Sequence, residues 1–216
     1  MLIIFDLDGT LIDSSEDLAI SMNATRQHFG LPPIDPGLIF SYVGNGAAIL
    51  VQRAMGGHLS EERLADALKF FLEFYHAHAL ERTRLYPGIR QMIVRLFEAR
   101  QKLAVLTNKP VRISTDIIAA LGLAQHFLRV YGGDSFPAKK PDPVGIRALI
   151  EEARISAPAT LMVGDSSVDV QTARNAGVRS CGVMWGFQPE SFELEPPDAV
   201  IRNPEELLDL VATQAG

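Results

Sequence analysis

Hydrophobic residues along the chain form short apolar runs that alternate with longer stretches of helical spacing. The runs are about four to six residues long, which suits strands buried on both faces of a sheet. Strands that alternate with helices are typical of a parallel sheet with helical crossovers. The pattern therefore predicts an α/β fold with a Rossmann-like parallel sheet, whose strands are residues 2–6, 102–107, 127–131, 160–164 and 180–183.

Helical patterns separate these strands, at residues 88–99, 111–121, 143–153, 168–176 and 205–212. One stretch interrupts the alternation, because residues 15–82 contain no convincing strand and only helical patterns, at 15–29, 47–55 and 61–80. Ser14, with Asp17 three residues further on, is typical of a helix N-terminal cap. The sequence thus predicts a small helical cap domain, residues 15–82, inserted after the first strand of an α/β core made of residues 1–14 and 83–216.

Composition and charge narrow the class of protein. The chain has 216 residues, of which 47% are hydrophobic, enough to bury a substantial core. Its apolar runs are far shorter than the roughly 20 residues that span a bilayer, and its N-terminus lacks the basic and apolar regions of a signal peptide. The net charge of -6, without a basic stripe, argues against nucleic acid as a partner. A single cysteine, Cys181, predicts a buried structural thiol and a cytoplasmic location.

Acidic residues follow two of the predicted strands. Asp6 and Asp8 lie at the end of the first strand, and Asp165 and Asp169 follow the fourth. Ligands of open α/β sheets gather at the carboxyl ends of the strands, so we expect these acids to converge there. Gly9 permits a close approach of the backbone to a ligand.

Converging carboxylates repel one another unless a cation or a shared proton lies between them. Carboxylate oxygens suit a hard cation, and Mg²⁺ is the preferred candidate, with Ca²⁺ as the alternative. Zn²⁺ is disfavoured, because no histidine or cysteine stands beside these acids. The cluster therefore predicts a magnesium site.

Cations and hydroxyls in the same part of the chain suit a phosphoryl group. Lys140 precedes Pro141, which favours an extended loop from which the lysine can reach inward. Lys140, the Thr107 hydroxyl and backbone N–H groups would stabilise the charge that develops on a transferring phosphoryl group. Lys109 is an alternative to Lys140 in this role.

Each of these motifs also has a purely structural interpretation. Asp-Leu-Asp alone is typical of a solvated turn, Thr-Asn-Lys-Pro of a turn, and Lys-Lys-Pro of a surface loop. An alternative for the last motif is that Asp165 or Ser166 caps the following helix. The order of the four motifs, and their placement at strand ends, favours a shared chemical role.

In this order the motifs resemble those of the haloacid dehalogenase-like superfamily, over nearly the whole chain. The resemblance implies that Asp6 is a nucleophile that forms an aspartyl-phosphate intermediate. It implies that Asp8 protonates the leaving alkoxide and then activates water. Because dehalogenases of this superfamily lack the second aspartate, Asp8 indicates phosphoryl transfer, and Thr10 favours hydrolysis over mutase activity.

The resemblance also implies a set of binding residues. Mg²⁺ would be held by Asp6, the Asp8 carbonyl and Asp165. Asp169 would orient Lys140 or the waters of the metal ion. Together with Gly9, the substrate-binding residues would be Thr107, Asn108 and Lys140.

The predicted helical insertion resembles the small cap of one subclass, which admits small substrates. Within it, residues 42–47 and 30–33 resemble the phosphoglycolate phosphatase branch of the superfamily. Gly44 and Gly46 would let backbone N–H groups approach an anionic substrate end, or else only form a turn between helices. Neither Arg26 nor Arg53 can be assigned to the substrate from sequence.

The expected reaction is hydrolysis of 2-phosphoglycolate to glycolate, with pyrophosphate, a nucleoside monophosphate or a sugar phosphate as alternative substrates. A non-catalytic module that responds to phosphate or Mg²⁺ is the alternative outside enzymes. The sequence leaves open whether the protein is a monomer or a homodimer. The histidines are interpreted as surface or packing residues: His28, His58, His76, His78 and His126.

Overall fold

The computed structural model describes residues 1–57 and 59–213. Its strands are β1 (Leu2–Phe5), β2 (Ile12–Asp13), β3 (Arg84–Leu85), β4 (Lys102–Leu106), β5 (Phe127–Tyr131), β6 (Thr160–Gly164), β7 (Arg179–Val183) and β8 (Ala199–Ile201). Its α-helices are α1 (Ser15–His28), α2 (Pro36–Phe40), α3 (Ala47–Ala54), α4 (Glu61–His78), α5 (Ile89–Glu98), α6 (Val111–Ala120), α7 (Val144–Ala153), α8 (Ser167–Ala176) and α9 (Glu205–Ala212). Short 3-10 helices occur at Ala124–His126, Ala157–Ala159 and Pro189–Glu193.

Six of the strands form one parallel sheet in the order β5-β4-β1-β6-β7-β8. The first strand lies at its centre, with Leu2 opposite both Lys102 and Thr160. The predicted α/β class and the five predicted strands are confirmed. The sixth strand, β8, was not predicted, because three residues show no periodicity that separates a strand from a loop.

Alternate residues of β1 face the two sides of the sheet. Leu2 and Ile4 pack into one core cluster with Ile146 and Leu149 of α7. Ile3 and Phe5 belong to the larger cluster on the other side. A strand buried on both faces is uniformly apolar, which explains why β1 is a continuous hydrophobic run ending at Asp6.

The first four helices lie between β2 and β3, and residues 15–82 are called the helical insertion below. The two short strands pair antiparallel, with Ile12 opposite Leu85, so the chain leaves and re-enters the core through one narrow ribbon. The ribbon and α2 were not predicted, since segments of two and five residues carry too little pattern. Whether residues 15–82 behave as a separate domain stays a prediction.

Helix α1 begins at Ser15 as predicted, but the predicted cap is wrong in its details. Ser14 occupies the N-cap position without making a side-chain cap hydrogen bond. The buried Asp17 carboxylate instead accepts hydrogen bonds from the backbone N–H groups of Arg82 and Thr83, and from the Thr83 hydroxyl at 2.8 Å. Asp17 therefore ties the start of the insertion to its end.

Several residues expected to be structural have packing or surface contacts. Cys181 is buried in β7, and burial raises the pKa of its thiol to about 12. His28 stacks on Phe70, with ring centroids 4.1 Å apart. His76, His78 and His126 contact Asp116, Glu81 and Phe97, respectively, whereas His58 lies outside the described residues. No α-helix in the described part of the chain is both long and apolar enough to cross a membrane.

Candidate active site

The carboxyl ends of the central strands open into a cavity between the sheet and the helical insertion. Asp6 and Asp8 reach it from the end of β1, Thr107 to Lys109 from the end of β4, and Asp165 from the end of β6. Residues of the insertion close the opposite side. The polar residues that follow β1, β4 and β6 therefore converge on one cavity, as predicted.

Three buried acids form a compact cluster beside this cavity. Carboxylate oxygens of Asp6, Asp165 and Asp169 all lie within 4.8 Å of one another. Burial raises the pKa of Asp6 to about 6, and burial together with Asp169 and Asp6 raises the pKa of Asp165 well above its usual value. Raised pKa values in adjacent acids mean that their negative charge is poorly compensated.

The cluster fits a hard divalent cation. Among the described residues, none makes a well-aligned hydrogen bond to the buried Oδ1 of Asp6. An all-carboxylate donor set is the chemistry that Mg²⁺ or Ca²⁺ prefers. The side chain of Asp8 lies outside this cluster, so its predicted metal contact rests on its carbonyl alone and stays a prediction.

Lys140 is buried against two of the acids. Its Nζ lies 2.9 Å from Asp6 Oδ1, as an ion pair, and donates to Asp169 Oδ1 at 2.6 Å. Burial acts to lower the pKa of Lys140, but the two carboxylates outweigh it and raise the pKa above its usual value. Lys140 is therefore held as a cation directly beside Asp6.

Asp169 links this cation to a helix start. Its Oδ2 accepts hydrogen bonds from the backbone N–H and the hydroxyl of Ser166, which form a capping box at the beginning of α8. Ser166, one of the two predicted cap residues, is the N-cap of α8, and Asp169 is the acid three residues further on that contacts both Ser166 and Lys140. Asp169 Oδ1 accepts from the Lys140 ammonium, whereas Asp165 accepts, within the described residues, only from neutral donors, the Phe187 N–H and the Thr10 hydroxyl, so Asp165 is the better candidate for a metal ligand.

Asp165 is enclosed by a close approach of the backbone. Gly9 has a φ of +78°, and a Cβ built there would lie 2.1 Å from Asp165 Oδ2. The same oxygen accepts a hydrogen bond from the backbone N–H of Phe187 at 2.7 Å, and the Thr10 hydroxyl donates to Oδ1 at 3.3 Å. Sequence reasoning did not find the Phe187 contact, because a backbone donor carries no residue-type signal.

Asp8 lines the cavity but is not part of the acid cluster, and its carboxylate contacts a second lysine. Lys109 Nζ donates to both oxygens of Asp8, at 2.7 and 2.9 Å, and the Ser14 hydroxyl donates to Oδ1 at 2.6 Å. Lys109 thus forms an ion pair with Asp8, whereas Lys140 forms ion pairs with Asp6 and Asp169, so the two lysines are not interchangeable. Sequence reasoning noted Ser14 only as a helix cap and missed this contact.

The loop after β4 is also shaped by the helical insertion. Asn108 Nδ2 donates to the carbonyl of Gly44 at 2.8 Å and to that of Lys140 at 3.0 Å. Both N–H groups of the Asn108 side chain therefore bind backbone carbonyls of neighbouring loops. Thr107 is buried, and its hydroxyl accepts a hydrogen bond from the N–H of Lys109. Substrate contacts by Thr107 and Asn108 stay predictions.

The insertion presents a mainly apolar wall to the cavity, with Leu18, Val43, Leu50, Phe71, Leu72 and Tyr75 among its lining residues. No lysine or arginine of the described insertion lines this cavity. Arg26 binds the backbone carbonyls of Pro32 and Ala54, and Arg53 lies 5.9 Å from the centroid of the Tyr42 ring. Both arginines therefore have structural contacts.

The loop at residues 44–46 is more than a turn between helices. Gly46 has φ +88° and ψ 162°, a conformation that is essentially restricted to glycine. A Cβ built there would lie 2.7 Å from Lys139 Nζ, which donates to the carbonyl of Asn45 at 2.7 Å. Lys139 and Asn108 thus hold this loop over the cavity from the core side.

Comparison with known proteins gives one consistent family. The family model for haloacid dehalogenase-like hydrolases matches residues 3–183. The chain is 38% identical over 221 residues to a phosphoglycolate phosphatase of Vibrio parahaemolyticus, covering 99% of this chain and 97% of that protein. It is 39% identical over 215 residues to a phosphoglycolate phosphatase of Chromobacterium violaceum, covering 96% and 94% of the two chains.

A solved structure gives the same result. The crystal structure of a predicted phosphoglycolate phosphatase from Haemophilus somnus superposes with a TM-score of 0.91 at 31% identity. The match covers 97% of this chain and 96% of that one, so it includes both the sheet and the helical insertion. The chain therefore belongs to the haloacid dehalogenase-like hydrolase family, as an enzyme of its phosphoglycolate phosphatase-like branch.

Proposed function

We propose that this enzyme is a Mg²⁺-dependent phosphatase that hydrolyses a small phosphomonoester through an aspartyl-phosphate on Asp6, with 2-phosphoglycolate as the favoured substrate. The observation that carries the proposal is the environment of Asp6. Its buried carboxylate faces the cavity, belongs to the cluster of three acids, and has its Oδ1 2.9 Å from the Lys140 ammonium. Such a carboxylate is placed to attack a phosphorus atom.

The reaction has two steps. In the first, an oxygen of Asp6 bonds to phosphorus while the bond from phosphorus to the leaving oxygen breaks, and Asp8 gives that oxygen a proton. In the second, Asp8 takes a proton from a water molecule that attacks the same phosphorus, and the bond to Asp6 breaks. Lys140, the Thr107 hydroxyl and the backbone N–H of Asn108 hold the phosphoryl oxygens, whose charge grows during transfer.

Mg²⁺ would be held by Asp6, the Asp8 carbonyl and Asp165. Bound there, it neutralises charge on the phosphoryl group and the attacking carboxylate. Asp169 keeps Lys140 in place instead of binding the ion, because its Oδ1 already accepts a hydrogen bond from the Lys140 ammonium. The uncompensated charge of the cluster supports this assignment.

The helical insertion, residues 15–82, acts as a cap domain that limits substrate size and excludes water. Its apolar wall and the absence of a lining cation from its described residues leave backbone N–H groups of the Gly44 to Gly46 loop to receive a carboxylate. The names of the relatives support 2-phosphoglycolate. Pyrophosphate, a nucleoside monophosphate and a sugar phosphate are the alternatives. We place the enzyme in the cytoplasm, in keeping with its single buried cysteine.

Phosphate release from a panel of these compounds, measured with Mg²⁺ and again with EDTA, tests the activity. Asp6→Asn removes the attacking anion while preserving shape, so we expect its rate to fall at least about 10⁴-fold. The matched control is Asp209→Asn, the same change at an exposed position of α9. A near wild-type rate for Asp6→Asn would exclude Asp6 as nucleophile. Binding of phosphate without turnover of any ester would instead support a non-catalytic module.

A further inference from the structure

Tyr75 of the helical insertion is linked through Lys109 to Asp8, the general acid and base of the proposed reaction. Lys109 Nζ donates to the hydroxyl of Tyr75, on α4, at 2.6 Å, and to the two oxygens of Asp8. An ammonium group has three protons, so these three contacts use all of them. The ammonium also lies 4.5 Å from the centroid of the Tyr75 ring, where a cation is attracted to the aromatic face.

The chain of contacts is buried and joins the two parts of the molecule. Lys109 comes from the core loop after β4, whereas Tyr75 belongs to the helical insertion. The side chain of Lys109 is only 4% exposed and that of Asp8 only 11%. Away from water, a hydrogen bond to a charged group is stronger and its loss costs more. Burial acts to lower the pKa of Lys109, but Asp8 and Tyr75 raise it above its usual value, so the lysine stays a cation.

We propose that Tyr75 and Lys109 are positioning residues for Asp8: when the insertion covers the site, the Tyr75 hydroxyl fixes the ammonium that aligns the Asp8 carboxyl with the leaving oxygen. This inference rests on the proposed function. Lys109 keeps its three protons throughout, and only Asp8 gains and loses one. With the insertion displaced, the ammonium loses one partner and the carboxyl loses its fixed orientation. Proton transfer is then efficient only under the closed insertion.

The dependence on the leaving group separates this role from a structural one. The alcohol that leaves 2-phosphoglycolate needs a proton from Asp8, whereas the acetate that leaves acetyl phosphate is stable as an anion and needs none. Both compounds are small, and kcat/KM reports the steps through departure of the leaving group. A fault in Asp8 positioning therefore lowers kcat/KM for the first compound only.

The first variant is Tyr75→Phe, which keeps the ring and removes the hydroxyl. We expect kcat/KM for 2-phosphoglycolate, or for the best alkyl phosphate of the panel, to fall about tenfold, the effect of one lost hydrogen bond to a charged group. For acetyl phosphate we expect a change of less than about twofold. The matched control is Tyr131→Phe, because that hydroxyl contacts Glu152 in the core and lies away from the cavity.

The second variant tests whether Tyr75 acts through Lys109. Lys109→Met removes the ammonium while keeping a long side chain, and we expect a larger loss with 2-phosphoglycolate than with acetyl phosphate. Adding Tyr75→Phe to Lys109→Met should produce no further loss, because the hydroxyl then has nothing to position. If the tyrosine contacted the substrate directly, its effect would persist in that background.

Two results would overturn the inference. One is an equal loss on both compounds in Tyr75→Phe, which indicates a packing or closure role. The other is an undiminished effect of Tyr75→Phe in the Lys109→Met protein. The comparison of the two compounds in Tyr75→Phe alone decides the matter even if Lys109→Met does not fold. Failure of the wild-type protein to hydrolyse either compound would count against the proposed function instead.

Discussion

The cavity has a charged side formed by the α/β core and a mainly apolar side formed by the helical insertion. On the core side, Asp6, Asp8 and Asp169 each face a buried lysine, and these pairs lie at the ends of rigid parallel strands. On the insertion side, apolar side chains and a glycine loop form the wall. From this difference we propose that charged groups on the sheet carry out the chemistry, and that shape and backbone groups of the insertion select the substrate.

After the loss expected for Asp6→Asn, the largest predicted effect is also on the core side. Asp165→Asn removes one charge from the acid cluster but keeps an oxygen that can accept from the Phe187 N–H. We expect phosphatase activity to fall about 10³-fold, since the metal ion supplies several kcal/mol of charge stabilisation. The increase in Tm that Mg²⁺ gives the wild-type protein should also disappear, because binding to the folded state is lost.

The matched control for this prediction is Asp66→Asn, the same change at an exposed position of α4. Differential scanning fluorimetry with and without Mg²⁺ and a phosphate-release assay measure both effects. An Mg²⁺-dependent rise in Tm that survives in Asp165→Asn would contradict the assignment of Asp165 as a ligand.

A smaller effect is expected from pH, also on the core side. Burial raises the pKa of Asp6 to about 6, so below that pH the carboxyl is mainly protonated and must lose a proton before it binds a cation. The affinity for Mg²⁺ should therefore weaken by at least about tenfold for each pH unit below about 6, since the pKa of Asp165 is raised as well. Isothermal titration at pH 7.5 and pH 5 measures this, and an equal Kd at both pH values would contradict it.

The raised pKa also predicts a direction for stability in the absence of metal. Asp6 binds its proton more tightly when folded than when unfolded, so its contribution to the free energy of unfolding is complete below its usual pKa of 3.8. That contribution is lost as the pH rises toward about 6, and Mg²⁺ should restore stability above this range.

The core side was largely predictable from sequence. A buried strand such as β1 is a continuous apolar run, and in a parallel sheet its carboxyl end faces the ligand, so Asp6 and Asp165 could be placed without coordinates. The contact between Lys109 and Asp8 could not be predicted. The two residues are 101 positions apart, and the direction of the Lys109 side chain depends on how the loop after β4 turns.

The insertion side was predictable only in outline. Its three longer helices follow from their periodicity, but β2 and β3 have two residues each and are created by pairing across the insertion. Tyr75 looks like any other aromatic residue on a helix, and its hydroxyl contact exists only because α4 packs over the core. Tertiary contact, and not local pattern, decides which residues of the insertion face the site.

The smallest predicted effect lies on the insertion side and tests whether that side governs substrate binding. Gly46→Ala places a side chain in a conformation that costs about 1–3 kcal/mol and pushes on Lys139. We expect KM for 2-phosphoglycolate to rise about fivefold while kcat stays within about twofold, because Asp6, Asp8 and Lys140 lie outside the contacts of the built Cβ. The control is Gly56→Ala, which also has a positive φ, at +103°, but no described atom within 4 Å of its built Cβ. If both variants changed KM equally, backbone strain in the insertion, and not the position of the loop over the cavity, would explain the result.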